Sequence, residues 1–381
     1  MIIYTYSIYI LSALYGALIL YFYLGWKALK EFNSKSPDTI PGVRVSVIVP
    51  VRNEADHIID LLDDLAAQQY PHSLMEVIIV DDFSDDKTAD LVRGYTKLQV
   101  RLIHLADYMD PSLPRQAHKK IAIETAVQLA KGDWIITTDA DCRMGPDWVS
   151  TTMQYAKESD VVFVAGPVGL FYDTSFLGKF QTLDFISLVG IAAASIHNGF
   201  YNLCNGANLA YAKAAFLEVD GYANAKHTPS GDDMMLMHKI GKRFPGKVGF
   251  LKNRQAIVRT FTAPDFSTFW QQRLRWTSKA GHYEDKRITV ILAMAYLCNL
   301  TLAFNVMAGA FHPQFLHLAM WQFLLKIGVD TLFAYSVARF FRTEQLLWNI
   351  LPMQILHIIY IIAIAPASLI GGFEWKGRRY S

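Results

Sequence analysis

Charged residues are distributed unevenly along this chain, and their distribution restricts the fold more than any other feature. No Asp, Glu, Lys or Arg occurs in residues 1–26, and a second uncharged run covers residues 288–325. Each run is long enough to cross a hydrocarbon core of about 30 Å as a helix. Lys27, Lys30 and Lys35 follow the first run, so the positive-inside rule predicts a cytoplasmic chain from residue 27 onward.

The C-terminal hydrophobic region, residues 286–372, predicts two or three further spans. Pro313 divides the uncharged run, and the helix after it must hold Lys326 and Asp330, which share one helical face. Charges at that depth usually pair or face the bundle interior. They are interpreted either as a structural pair or as groups that handle a lipid acceptor.

Two prolines, Pro352 and Pro366, interrupt the last apolar stretch, residues 346–370. They predict a broken helix that spans the bilayer, re-enters it or lies in its interface. Four full spans would put the basic tail, residues 373–381, outside, against the positive-inside rule, whereas a re-entrant or interfacial stretch would keep it cytoplasmic. The sequence leaves these arrangements open.

Composition agrees with a multi-pass protein of the cell membrane. Hydrophobic residues make up 52% of the chain and charged residues 18%. A net charge of +2, without a basic run, argues against a nucleic-acid partner. The three cysteines, Cys142, Cys204 and Cys298, lack metal-ligand spacing, so a structural role in a reduced compartment is expected.

Residues 43–285 predict a soluble α/β domain joined to the first span by a linker over residues 27–42. Strand-like and helical patterns alternate there, which is typical of a mostly parallel sheet with helices on both faces. The strand-like runs are residues 43–49, 77–80, 100–104 and 134–138; the helical ones are 56–69, 87–94 and 119–130. Residues 176–198 carry few charges and are interpreted as an interfacial helix or a buried domain helix.

Acidic side chains follow the predicted strands, where parallel sheets bind ligands. The turn after the first strand, residues 50–54, has no glycine, which excludes a dinucleotide-binding turn and a P-loop there. A nucleotide would therefore need a divalent cation such as Mg²⁺ or Mn²⁺, which prefers oxygen ligands and bridges phosphates. Asp139 and Asp141, at alternate positions after a strand, are the candidate metal ligands.

Three other acidic or basic groups have both a functional and a structural interpretation. Asp82 could accept from a base N–H or a ribose hydroxyl, whereas Asp85 and Asp86 would cap the next helix. Asp233, in Ser-Gly-Asp-Asp, could act as a general base or merely complement a helix dipole. Arg275 and Trp276 could serve the site or simply lie at the membrane interface.

Taken in order, these motifs resemble the membrane-bound branch of family 2 glycosyltransferases with the GT-A (Rossmann-like) fold. The resemblance rests on Pro-x-x-Asn-Glu at residues 50–54, Val-Asp-Asp at 80–82 and Asp-x-Asp at 139–141. An acid pair at 232–233 and Gln-x-x-Arg-Trp at 272–276 complete the series. The tail resembles those of ceramide- and carotenoid-type lipid glucosyltransferases.

The resemblance implies a nucleotide-sugar donor, most simply a UDP-sugar, a lipid or glycan acceptor, and a role for each matched residue. Pro50, Glu54, Asp82, Lys119 and Asp139 would bind the donor, and Asp139 and Asp141 would also hold the metal. Asp233 would be the base, and Gly206, Asn208, Gln272, Arg275 and Trp276 would line the acceptor and diphosphate side. Glu124, Gly231 and Asp232 depart from the family's usual Asn, Thr and Glu.

The sequence therefore predicts an inverting glycosyltransferase of the cell membrane with a cytoplasmic catalytic domain. A processive polysaccharide synthase is one alternative, although it would need more spans to build a channel. A non-catalytic membrane scaffold or transporter is the other, and it would not require Asp82, Asp141, Asp233 and Arg275 together.

Overall fold

The computed structural model describes residues 1–34, 42–109, 118–223, 231–278, 285–370, 372–375 and 378–380. It divides the chain into two compact units. The sheet unit comprises Leu29–Tyr172 and Ser195–Thr262, and the helical unit comprises Met1–Ala28, Asp173–Ala194 and Ala263–Ser381. Parts of the predicted linker and basic tail lie outside the described residues.

Described helices and strands alternate through the first half of the chain, as the sequence predicts. The helices are α1 (Ile2–Ala28), α2 (Ile58–Ala66), α3 (Thr88–Gly94), α4 (His118–Leu129), α5 (Trp148–Glu158), α6 (Phe176–His197), α7 (Lys213–Glu218), α8 (Asp232–Arg243), α9 (Phe266–Thr277), α10 (Lys286–Gly309), α11 (Gln314–Phe341) and α12 (Ile350–Ile370). The strands are β1 (Val45–Val51), β2 (Met75–Asp81), β3 (Val100–His104), β4 (Trp134–Thr137), β5 (Phe163–Ala165), β6 (Val168–Phe171), β7 (Leu209–Ala212), β8 (Val248–Phe250), β9 (Val258–Phe261), β10 (Phe373–Trp375) and β11 (Arg378–Tyr380).

A seven-stranded, mostly parallel sheet with order β3-β2-β1-β4-β7-β5-β8 forms the core of the sheet unit. The central strands β1 and β2 are buried along nearly their whole length, which explains their runs of Val and Ile. Separate from this sheet, β6 pairs in parallel with β9. The mostly parallel α/β prediction is confirmed.

One strand reverses direction, and this reversal positions the candidate site. β7 runs antiparallel to β4, with Leu209 opposite Thr137. The amino end of β7 consequently meets the edge where β1, β2 and β4 have their carboxyl ends. The segment before β7, which contains Gly206 and Asn208, is thereby placed beside the loop that follows β4.

Long apolar helices dominate the helical unit. Within the described residues, four segments are long and apolar enough to cross a membrane: Ile2–Ala28, Phe176–His197, Lys286–Gly309 and Glu344–Ile370. Pro313 lies at the N-cap of α11, as expected for a turn between two helices. The expectation of a broken last helix is wrong: α12 continues through Pro366, and Pro352 lies in its first turn, where the missing N–H is tolerated.

Lys326 and Asp330 form the ion pair expected from their spacing, with Nζ 2.7 Å from Oδ2. The pair lies in a buried polar network that joins three helices. Tyr15 of α1 donates to Asp330 Oδ1 at 2.7 Å and accepts from Lys326 Nζ at 2.8 Å. Gln354 of α12 donates to Asp330 Oδ2 at 2.7 Å.

Candidate active site

The loops after β1 and β2 contain no glycine and are held together by side-chain hydrogen bonds. Asn53 and Phe83 both have positive φ, of 53° and 56°. The Asn53 N–H donates to Ser84 Oγ at 3.0 Å, and Asn53 Oδ1 accepts from the Asp85 N–H at 3.0 Å. The Glu54 N–H donates to Thr88 Oγ1 at 2.8 Å. Asn tolerates this left-handed conformation better than most residues do.

Asp85 and Asp86 are the predicted caps of α3, but Lys87 occupies the N-cap position, and its side chain makes no capping hydrogen bond. Asp86 still accepts from the first N–H of the helix, and its carboxylate also links the two loops. It accepts from the Thr88 N–H at 2.9 Å and from the Ala55 N–H at 3.1 Å. Burial alone would raise the pKa of Asp86, but the hydrogen bonds from Thr88 and Ala55 outweigh it and lower the pKa. The charged form is therefore the one that stabilises this edge of the sheet.

Asp82 is buried at the end of β2, where the sequence places a nucleoside ligand. Its N–H donates to Val51 O at 2.8 Å, and Arg52 Nη1 donates to its carbonyl at 2.9 Å. Its carboxylate is hydrogen-bonded to His118 Nδ1 of α4. His118 is 5% exposed. The sequence does not predict it as a site residue, although it directly precedes Lys119, which is predicted.

Residues from four distant segments meet at the end of β4. Lys119 Nζ lies 2.6 Å from Asp139 Oδ1, and the Gly206 N–H donates to Asp233 Oδ2 at 3.2 Å. A Cβ on Gly206 would lie 3.6 Å from Lys119 Nζ and 3.9 Å from Asp233 Oδ2. Thr137 Oγ1 donates to the Gly206 carbonyl at 3.2 Å. Lys119, Asp139, Gly206 and Asp233 thus belong to one cluster.

Asp139 and Asp141 lie in a turn closed by the hydrogen bond from the Cys142 N–H to the Asp139 carbonyl. Both side chains are partly exposed. Thr260 Oγ1 of β9 donates to Asp141 Oδ2 at 2.9 Å, a contact that no local sequence signal predicts. Burial, followed by the charges of Asp141 and Asp139, raises the pKa of the Cys142 thiol. The thiolate form of Cys142 is therefore disfavoured.

The donor set at this turn fits Mg²⁺ or Mn²⁺ bound together with a phosphorylated ligand. Within the described ranges, no group of three or more His, Cys, Asp or Glu side chains is arranged to hold a metal. Two carboxylates completed by phosphate oxygens and waters are a usual set for Mg²⁺, whereas they are too few for a cation held by protein alone.

Asn208 has a buried environment and is 3% exposed. Its Oδ1 accepts from Trp148 Nε1 at 3.0 Å, and its Nδ2 donates to the carbonyls of Pro167 and Ala256, both at 2.9 Å. These bonds hold the segment that precedes β7. The side-chain amide is thus engaged inside the protein.

The Gln-x-x-Arg-Trp residues Gln272, Arg275 and Trp276 lie on α9 in the helical unit, all half-buried. Their helix is fixed by a residue that the motif does not specify. Arg273 is 2% exposed, lies 2.9 Å from Asp184 Oδ2 of α6, and stacks over the Trp276 ring at 4.4 Å. In the sheet unit, Pro50 lies within β1. Glu54, in the loop that follows β1, is buried.

Comparison with known families agrees with this architecture. The family described as glycosyl transferase family 2 matches residues 46–202, and glycosyl transferase family group 2 matches residues 134–367. The second match spans more than half of the chain. The chain belongs to glycosyltransferase family 2.

The chain is similar to synthases from two Staphylococcus species. Poly-beta-1,6-N-acetyl-D-glucosamine synthase of Staphylococcus aureus (strain MSSA476) is 24% identical over 269 residues, which are 69% of this chain and 61% of the relative. The synthase of Staphylococcus epidermidis (strain ATCC 35984) is 23% identical over 240 residues, 62% and 54% of the two chains. The chain therefore spans about three fifths of the length of the curated relatives it matches.

Among solved structures, the chain is similar to the mannosyltransferase PcManGT from Pyrobaculum calidifontis, in complex with GDP-Man and Mn²⁺. The TM-score is 0.56 at 20% identity, and the match covers 96% of this chain and 99% of the other. This likeness confirms the predicted GT-A fold of the family 2 chain.

Proposed function

We propose that this family 2 chain is a membrane-embedded inverting glycosyltransferase that transfers a sugar from a UDP-sugar to the hydroxyl of a lipid. The sheet unit would bind the donor on the cytoplasmic face of the cell membrane, and the apolar helices would hold the enzyme in the bilayer.

The observation that carries the proposal is the cluster at the end of β4. Asp233 of α8 accepts from the Gly206 N–H. Gly206 also lies close to the ammonium of Lys119, which contacts the Asp139 carboxylate. A glycosyl transfer needs a base for the acceptor and positive charge for the leaving diphosphate within one site. Asp82 at the neighbouring strand end would accept from the nucleoside.

In the proposed reaction, the acceptor hydroxyl attacks the anomeric carbon while its proton passes to Asp233. The bond from that carbon to the diphosphate oxygen breaks, and the nucleoside diphosphate leaves with the electron pair. A single displacement inverts the anomeric configuration. The N–H groups of Gly206 and Met234 donate to Asp233 at 3.2 and 2.8 Å and would fix the carboxylate's direction. A divalent cation on Asp139 and Asp141 would neutralise charge on the diphosphate.

The test is a transfer assay with the purified full-length protein in membranes, lipid extract and individual nucleotide sugars, including UDP-glucose, UDP-N-acetylglucosamine and GDP-mannose. One radiolabelled sugar joined to a lipid supports the proposal. Absence of transfer from every nucleotide sugar, with intact donor binding, would argue against a transferase.

A processive polysaccharide synthase is the second candidate, favoured by the similarity to the poly-beta-1,6-N-acetyl-D-glucosamine synthases of Staphylococcus. The same assay separates the two, because a synthase extends its product to long chains whose length increases with time. A product that stays at one sugar per acceptor would reject the synthase.

Metal removal should abolish transfer. Because Asp139 and Asp141 supply only two carboxylates, we expect excess EDTA to stop the reaction and added Mg²⁺ or Mn²⁺ to restore it. Initial rates at a series of free metal concentrations measure this dependence. Undiminished transfer in EDTA would show that Lys119 and other protein cations are sufficient.

The membrane orientation can be tested with a single cysteine. Thr96 is exposed in the sheet unit, whereas Cys142, Cys204 and Cys298 are all buried. Thr96→Cys should resist an impermeant maleimide in intact cells and react with it after lysis, while a permeant maleimide labels in both. Labelling by the impermeant reagent before lysis would place the sheet unit outside.

A further inference from the structure

We propose that His118 is a positioning residue for nucleotide binding: its ring orients the Asp82 carboxylate toward an N–H or hydroxyl of the nucleoside. This inference rests on the proposed function, in which Asp82 accepts from the nucleoside of the donor.

The hydrogen bond between His118 Nδ1 and Asp82 Oδ1 is buried on both sides, since the two residues are 5% and 7% exposed. An ionised carboxylate only accepts, so the ring proton is assigned to Nδ1. The Phe83 ring packs edge-on against the imidazole, with centroids 5.7 Å apart, and restricts its rotation. The imidazole is thus a fixed donor to one carboxylate oxygen.

The main chain of Asp82 is held independently of His118. Val51 O and Arg52 Nη1 bind its N–H and its carbonyl, at 2.8 and 2.9 Å. The bond from His118 to Oδ1 restrains the orientation of the carboxylate. A carboxylate that is already oriented loses less entropy when it accepts from a ligand.

The neighbouring residue gives this placement a wider consequence. His118 and Lys119 are consecutive at the start of α4, and they contact acids that follow two different strands, Asp82 after β2 and Asp139 after β4. The first turn of α4 therefore helps to fix the position of Asp82, the proposed nucleoside ligand, relative to Asp139 on the proposed diphosphate side.

Three substitutions test which ring nitrogen matters. His118→Asn keeps an N–H near the position of Nδ1, His118→Gln places its amide near that of Nε2, and His118→Ala removes both. The other ring nitrogen, Nε2, is buried and has no hydrogen-bond partner within the described part of the chain. It is therefore the alternative ring atom through which His118 could affect nucleotide binding. The dissociation constants of UDP and GDP with Mg²⁺ are measured by calorimetry on the full-length protein in detergent.

We expect the alanine and glutamine variants to bind the preferred nucleotide about tenfold more weakly, the loss typical of a hydrogen bond to a charged group. The asparagine variant should stay within about threefold of wild type, with unchanged melting temperature; its rescue separates positioning from a general packing effect.

Rescue by glutamine but not asparagine would overturn the proposal and assign the contact to Nε2. Wild-type affinity in all three variants, with weakened binding in Asp82→Asn, would reject the role of His118 and leave the proposed function standing. Wild-type affinity in Asp82→Asn as well would reject both, because Asp82 would not contact the nucleotide.

Discussion

Asp233→Asn is expected to lower kcat by about 10²–10⁴-fold, the usual contribution of a general base. The substitution keeps the size of the side chain and leaves Asp82, Asp139 and Asp141 untouched, so the nucleotide affinity should hardly change. In the wild type, the N–H groups of Gly206 and Met234 donate to the carboxylate. The amide oxygen of the variant can still accept from one of them. It cannot take the acceptor's proton.

The rival explanation is that Asp233 only stabilises the start of α8. It predicts a loss of about 1 kcal/mol in stability with normal turnover of the folded fraction. Asp90→Asn is the matched control, because Asp90 is an exposed acid in the first turn of α3. Turnover and nucleotide affinity are measured on each variant and corrected for folded protein. Near-wild-type turnover in Asp233→Asn would remove the base assignment.

Asp330→Ala is expected to lower the free energy of unfolding by about 3–5 kcal/mol, because it leaves the Lys326 ammonium buried without its carboxylate. The Lys326 side chain is 1% exposed, and Asp330 also accepts from Tyr15 and Gln354. Denaturant titration in detergent micelles, followed by tryptophan fluorescence, measures the loss.

The double variant Lys326→Met, Asp330→Leu serves as the control, since it removes both charges and keeps apolar volume. It should recover most of the stability lost in Asp330→Ala, as replacing a buried ion pair by apolar groups often does. Transfer activity in the stable double variant distinguishes the two interpretations of this pair. Retained transfer indicates a structural pair, whereas a stable but inactive protein indicates a role with the lipid acceptor.

Local patterns were sufficient to predict most elements of the sheet unit. The strand-like run at residues 100–104 is β3 as predicted, and the acids after β2 and β4 lie at the carboxyl edge of the sheet. Such predictions succeed because burial on both faces requires a continuous apolar strand, and because parallel strands end at one edge. The same kind of reasoning gave a wrong prediction for the last helix, which is continuous. Pro352 does not break it because it lies in the first turn, where proline is tolerated.

By itself, the sequence determined the uncharged runs, the strand–helix alternation and the positions of acids relative to strand ends, because each depends on neighbouring residues alone. Only the tertiary structure decided which distant groups meet. It placed His118 on Asp82, Thr260 on Asp141 and Asp233 beside Gly206. The start of α4 and the reversal of β7 produce the first and last of these contacts, and the bridge between Arg143 and Arg259 of β9 produces the second. None of these features leaves a periodic signal in the chain. A hydrogen bond between residues 36 or 119 positions apart follows from the packing of whole elements, which no local pattern encodes.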